Sequence, residues 1–151
     1  MRGGAPLPRD VRTHWGARVV VLGGNKLASV NDWIADVDRA IPAGEAASVG
    51  ALLMDFRDHA FAPTADEAGV LLDLLRARFR VGVPPVAVVA RSGGQFGGAR
   101  VLCTLAEMSG CRASAFLTEA EAWLWLRAQL KEPADGPQPG GGEGEQARAR
   151  V

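Results

Sequence analysis

The 151-residue sequence has no tyrosine, only two cysteines and two histidines, and no surplus of either charge, Lys plus Arg and Asp plus Glu numbering 17 each. Each shortage closes off a class of function. Without a net basic field nothing gathers a phosphate backbone or an acidic lipid surface, so nucleic acid is not an expected partner. Cys103 and Cys111 form no CxxC pair and no metal-spaced set with His14 and His59, which argues for reduced thiols and against zinc or any other metal. Neither histidine shares a motif with Ser92 or Cys103, so a nucleophile with its base is not in view. No apolar run reaches the roughly 18–20 residues of a membrane span, and Met-Arg-Gly-Gly-Ala-Pro at the start has no apolar stretch of the secretory kind. The expectation is a cytoplasmic protein, not an enzyme, with no cofactor and no stable membrane insertion.

What is present is enough apolar material for one core, 48% hydrophobic against 23% charged. A length of this order fits one domain. Residues 1–10 are rich in Gly, Pro and Arg and are expected to be flexible. Residues 131–151, KEPADGPQPGGGEGEQARARV, read as a disordered Gly/Pro-rich tail. The folded unit should span 11–130.

Within it, Val19 to Leu22 is a β-branched run closed by Gly23-Gly24, with Val11 to His14 as a hairpin arm beside it. Ser29 caps a helix whose apolar positions are Val30, Trp33, Ile34, Val37 and Ile41, stopped by Pro42 and Gly44. Ala51 to Phe56 is a second buried strand. Thr64-Ala-Asp-Glu67 then has the form of a capping box ahead of a helix carrying Ala68, Leu71, Leu72, Leu75 and Phe79. Val86 to Ala90 is a third strand, and Ser92-Gly93-Gly94-Gln95-Phe96-Gly97-Gly98 opens a helix that Gly110 ends. Ala113 to Leu117 forms a last strand, and Thr118 caps a last helix facing inward through Ala120, Trp123, Leu126 and Leu130. The order ββαβαβαβα, with strands apolar on both faces, predicts an α/β fold: a mainly parallel sheet of four or five strands with helices on both sides.

Three segments, LLMDFRDHAFAPTADE at 52–67, VAVVARSGGQFGGARVLCTLAE at 86–107 and FLTEAEAWLWL at 116–126, resemble the SpoIIAA-like group of STAS domains, small bacterial proteins related to anti-sigma factor antagonists. The resemblance runs from about residue 18 to 128, through Asp55, Phe61, Phe96-Gly97, Arg100, Glu121-Ala122 and Trp123-Leu124. It implies a regulatory domain that binds a regulator or kinase-like protein and does no catalysis. In the true antagonists an Asp-Ser-Ser-Gly at a helix start carries a serine that a kinase phosphorylates. Aligned through Phe61, that motif falls on Pro63, Thr64, Ala65 and Asp66, where Thr64 alone keeps a hydroxyl. Asp55, Asp58, Phe61, Thr64 and Asp66 are therefore the candidate docking and phospho-switch residues. A phosphate on Thr64 would sit at a helix N-terminus, where free amides favour it; the plain alternative is that Thr64 is an N-cap and nothing more.

The second candidate is the Gly-rich loop, Ser92, Gly93, Gly94, Gln95 and Phe96, which follows a strand and opens a helix, the setting in which backbone amides cradle an anion. It lacks the lysine of a P-loop and the spacing of a dinucleotide fingerprint, so small-ligand binding of an anion, nucleotide or lipid, or weak enzymatic activity with Asp55, stands as the alternative. What separates the two is whether the space beside this loop is open and polar or filled by Phe96 and leucines. Asp55, Arg57 and Asp58 read otherwise as loop capping and surface charge. Trp125 falls nearly opposite Trp123 on the last helix, which predicts that one of the two is exposed, a possible contact for a homodimer.

Overall fold

The structure, a computed structural model, describes residues 11–14, 16–23, 29–58 and 63–131. The chain runs β1 (Val11–His14), β2 (Ala17–Leu22), α1 (Val30–Ala40), a short 3-10 helix (Ala43–Ser48), β3 (Val49–Asp55), α2 (Ala65–Arg78), β4 (Val86–Val89), α3 (Gly94–Met108), β5 (Ala113–Phe116) and α4 (Glu119–Lys131). One five-stranded sheet has the spatial order β1-β2-β3-β4-β5. β1 is antiparallel to β2, with Val11 opposite Val20, and every later pair is parallel. The predicted α/β fold and its hairpin arm are both present. α1 ends before Pro42, as expected, and the chain then makes a 3-10 helix that the sequence pattern did not indicate.

Strands that step across a sheet in one direction by right-handed crossovers place every crossover helix on one face. That is the arrangement here. Val20, Leu22, Leu52, Met54, Val86 and Val88 share a core with Trp33, Val37, Leu71, Leu75 and Leu102 from α1, α2 and α3. The alternate strand residues Val19, Ala51, Leu53, Ala87 and Val89 pack instead with Ala122 and Leu126 of α4. Both sheet faces are thus covered, which is why the strands read as unbroken apolar runs. α4 returns beneath the sheet because no strand follows it to dictate its side.

A single helix covers the second face by spreading its tryptophans. Ala122 and Leu126 point inward and are fully buried, Leu124 points outward at 67% exposure, and Trp123 and Trp125 lie on the two flanks, each half-buried. Trp125 rests on Phe116 of β5, ring centroids 5.9 Å apart. The expectation that one tryptophan is exposed is corrected: the helical wheel separates their directions, but both indoles are long enough to fold down onto the sheet from either side of a small inward residue. One expected inward position changes with it, since Ala120 is exposed and Ala122 takes its place.

The caps are local. Ser29 accepts from the Asp32 amide at 3.2 Å, and Thr118 accepts from the Glu121 amide at 3.2 Å. Gly110, at φ +87, turns the chain out of α3. Gly23, at φ +95, is required by both backbone and space, since a Cβ there would lie 2.3 Å from the Asp55 carbonyl oxygen and 2.9 Å from the Trp33 ring.

Candidate functional site

The parallel strands end on one edge of the sheet, and each is followed by a helix whose free amides face that edge. Asp55, Asp58, Thr64, Asp66 and Ser92 to Phe96 all lie there, so the fold gathers both candidate sets into one region. Phe61 and His59 lie outside the described residues.

Asp55 closes β3 and is fully engaged. Its Oδ1 accepts from the Arg57 amide at 3.0 Å and from Arg57 Nε at 2.9 Å, and its Oδ2 accepts from Arg57 Nη2 at 2.7 Å. The same guanidinium donates to Glu119 Oε1 at 3.0 Å, and Glu119 Oε2 accepts from Trp123 Nε1 at 3.0 Å. The hydrogen bonds from Arg57 to Asp55 hold its pKa well above the ordinary arginine range, against the opposing effect of partial burial, with further support from Glu119. A carboxylate paired in this bidentate way is a structural clasp from the end of β3 to the start of α4, not a free base. Sequence reasoning placed Asp55 and Arg57 in loop capping, which holds; Glu119 was missed because it lies 62 positions along the chain.

Thr64 is the N-cap of α2 with the full reciprocal box: its Oγ1 accepts from the Glu67 amide at 3.2 Å, and its own amide donates to Glu67 Oε1 at 3.0 Å. Thr64, Ala65 and Asp66 are exposed, while Pro63 is buried. Pro63 is held by close approach to α3, for a Cβ at Gly98 would stand 2.7 Å from the Pro63 carbonyl oxygen. Asp58 is exposed beside the clasp.

In the Gly-rich loop, Ser92, Gly93 and Gly94 are exposed and Gly93 takes φ +92 at the N-cap of α3. Gln95, only 6% exposed, turns inward: Nε2 donates to the Phe56 carbonyl at 2.7 Å and Oε1 accepts from the Arg91 amide at 2.7 Å. Phe96 packs against the main core behind it. The inner side of the loop is therefore filled by side chains, and of its glycines Gly98 alone marks a close approach, to Pro63, while a Cβ at Gly93, Gly94 or Gly97 would meet nothing within 4 Å. Gln95, read from sequence as a ligand residue, is a brace between the ends of β3 and β4.

Two further buried groups, Asp36 near this edge and Cys103 away from it, bear on what the site can do. Asp36, buried on the inward face of α1, accepts from the Gly23 amide at 2.9 Å and from Arg39. Cys103 is buried in α3, and desolvation, helped by Glu107, pushes its thiol up to about 12, so it stays protonated and unreactive near neutrality. Among the described residues no group of three or more His, Cys, Asp or Glu comes together, and no helix is long and apolar enough to cross a membrane.

No family model matches the chain, and no curated protein matches it. Among solved structures the chain is similar to a crystal structure described as an anti-sigma factor antagonist from Mycobacterium paratuberculosis. The identity is 23% and the TM-score 0.49, over 78% of this chain and 91% of that one.

Proposed function

We propose that this chain is a regulatory domain without catalysis, which docks a protein partner on the outer face of α2 and the segment leading into it, with phosphorylation of Thr64 as the switch. The observation that carries the reading is an apolar anchor in an acidic setting: Val70 is 45% exposed on α2, with exposed Asp66 and Asp73 on the same helix. Val101, on the α3 that packs beside it, is 38% exposed. A partner of matching chemistry presents an apolar residue ringed by basic ones. The clasped Asp55, the protonated Cys103 and the filled Gly-rich loop support a surface that binds over one that reacts. A phosphate on the exposed Thr64 hydroxyl would add roughly −1.5 to −2 charge beside Asp66 and Glu67 and change that surface sharply.

The test is capture from an extract of the native cell on immobilised protein. A partner should be retained by the unaltered chain and by Leu124→Glu on the opposite side of the molecule, and lost with Val70→Glu and Thr64→Glu. A partner indifferent to Val70→Glu, or lost with Leu124→Glu, sinks the surface. Phosphate mapping by mass spectrometry on protein from cells tests the switch separately.

A further inference from the structure

β5 is one edge of the sheet, bonded only to β4 among the described residues. The carbonyl oxygens of Arg112 and Phe116 accept from the amides of Val86 and Ala90 at 2.9 and 3.0 Å, so these two residues turn their peptide groups toward β4. Successive residues of a strand alternate, and the N–H and C=O groups of Ala113 and Ala115 therefore face outward. Proteins usually blunt such an edge with lysine, proline, an inward charge or a bulge. β5 reads Ala-Ser-Ala-Phe and carries none of these. Beside it runs a groove of about 290 Å³, with Phe96, Arg100, Thr104 and Glu107 of α3 on one wall and Ala113 to Ala115 on the other. A slot between a helix and an unpaired strand is the geometry in which an extended segment adds to a sheet.

The chain itself supplies a segment of the right kind. α4 ends at Lys131, and its last turns are tied to the residue just before β5, Arg112 Nη1 donating to Gln129 Oε1 at 2.8 Å. Residues 132–151 leave from that corner. Their first part, as far as Gly144, is rich in Gly and Pro, and a flexible linker of ~13 residues covers roughly 20 Å, more than the roughly 13 Å length of a four-residue strand. Their last part, Ala147-Arg148-Ala149-Arg150-Val151, alternates small apolar and basic residues, the period of a half-buried strand.

We propose that residues 145–151 add to β5 as a sixth, antiparallel strand. That direction, with the alanines turned to the α3 wall, brings Glu143 and Glu145, which share their face, to the Arg100 end of the groove and turns Arg148 and Arg150 to the opposite face. The alanines suit a slot walled by a helix, where a longer side chain would be refused. The proposal is independent of the docking face on α2.

Amide hydrogen exchange read residue by residue tests it. Ala113 and Ala115 should exchange at least tenfold more slowly in the full chain than in a chain ending at Lys131, while Ala87 and Val88 in the sheet centre exchange alike in both. Ala149→Pro in the full chain should restore the fast exchange, and Ala134→Pro should not; these two variants decide the matter even if the shortened chain folds poorly. Equal exchange at Ala113 and Ala115 with and without the tail, or in the Ala149→Pro chain, overturns the proposal. Slow exchange that fades on dilution gives the edge to a second copy of the chain and overturns it too.

Discussion

Gln95 donates from its buried amide nitrogen to the carbonyl oxygen of Phe56 at 2.7 Å, while its oxygen takes the amide of Arg91, so one side chain from α3 holds the loops after β3 and β4 together. The residue most naturally assigned to a ligand loop thus bonds two backbone groups instead. Gln95→Leu keeps the bulk and removes both bonds. An unsatisfied buried group costs about 1–3 kcal/mol, so the variant should lose about 2–4 kcal/mol in urea unfolding with the slope unchanged. A loss under about 0.5 kcal/mol would show that water replaces the brace.

Gly23 meets the end of β3 where no side chain fits, at φ +95 with the Asp55 carbonyl 2.3 Å from where a Cβ would stand. Gly23→Ala should therefore destabilise by at least ~2 kcal/mol, through strain and through movement of the amide that Asp36 accepts from. Gly44→Ala, with nothing within 4 Å, is the control and should change little.

The capping box at Thr64 separates stability from signalling. Thr64→Ala should cost about 1 kcal/mol and Thr64→Ser almost nothing, because serine keeps the oxygen that accepts from Glu67. If Thr64→Ser abolishes partner capture while leaving thermal stability intact, the methyl group touches the partner, and the docking face extends to the cap itself.

Burial of Cys103 makes stability depend on alkaline pH. An unfolded thiol titrates near ~8.5, whereas the native one is pushed up to about 12. Below pH ~8.5 both states keep the proton and the contribution is complete. Between there and 12 only the unfolded chain loses it, so stability falls as pH rises, by up to ~1.4 kcal/mol per pH unit. Comparing urea unfolding of the natural chain and Cys103→Ala at pH 8, 9 and 10 isolates this part. Parallel curves for the two would mean that the thiol is not desolvated.

The clasp from Arg57 to Glu119 joins partly exposed groups, 34% and 42% by side chain, and its strength is reduced by solvent. A double-mutant cycle on Arg57→Ala and Glu119→Ala should return a coupling of about 0.5–1 kcal/mol, smaller in high salt. Zero coupling would leave the Thr118 cap and the packing of Ala122 and Trp123 to hold the start of α4.

Much of the architecture was legible because it is governed over short stretches. Ser29, Thr64 and Thr118 each find their amide three residues on, and the apolar strands announce a sheet covered on both faces. The site was legible only in outline. Asp55 and Arg57 pair two residues apart, but Arg57 also reaches Glu119 and Gln95 reaches Phe56, 62 and 39 positions away, and no local pattern signals either. Asp36 illustrates the same limit, since its place on α1 marks it as inward-facing while its acceptance from Gly23 depends on how α1 lies against β2. The tryptophan pair failed for a geometric reason: a helical wheel records the direction in which a side chain departs and not how far it reaches.

Amino-acid order by itself determined where this chain extends, coils and turns, because those preferences belong to neighbouring residues and to the two faces each segment must bury. The tertiary structure alone decided that the arginine holding the acid at the end of β3 also reaches Glu119, that the glycine loop is plugged from within and that, among the described residues, the outer edge of β5 pairs with no strand. Each of those depends on atoms brought together across tens of residues, where only the packing of helices on the sheet sets the distance.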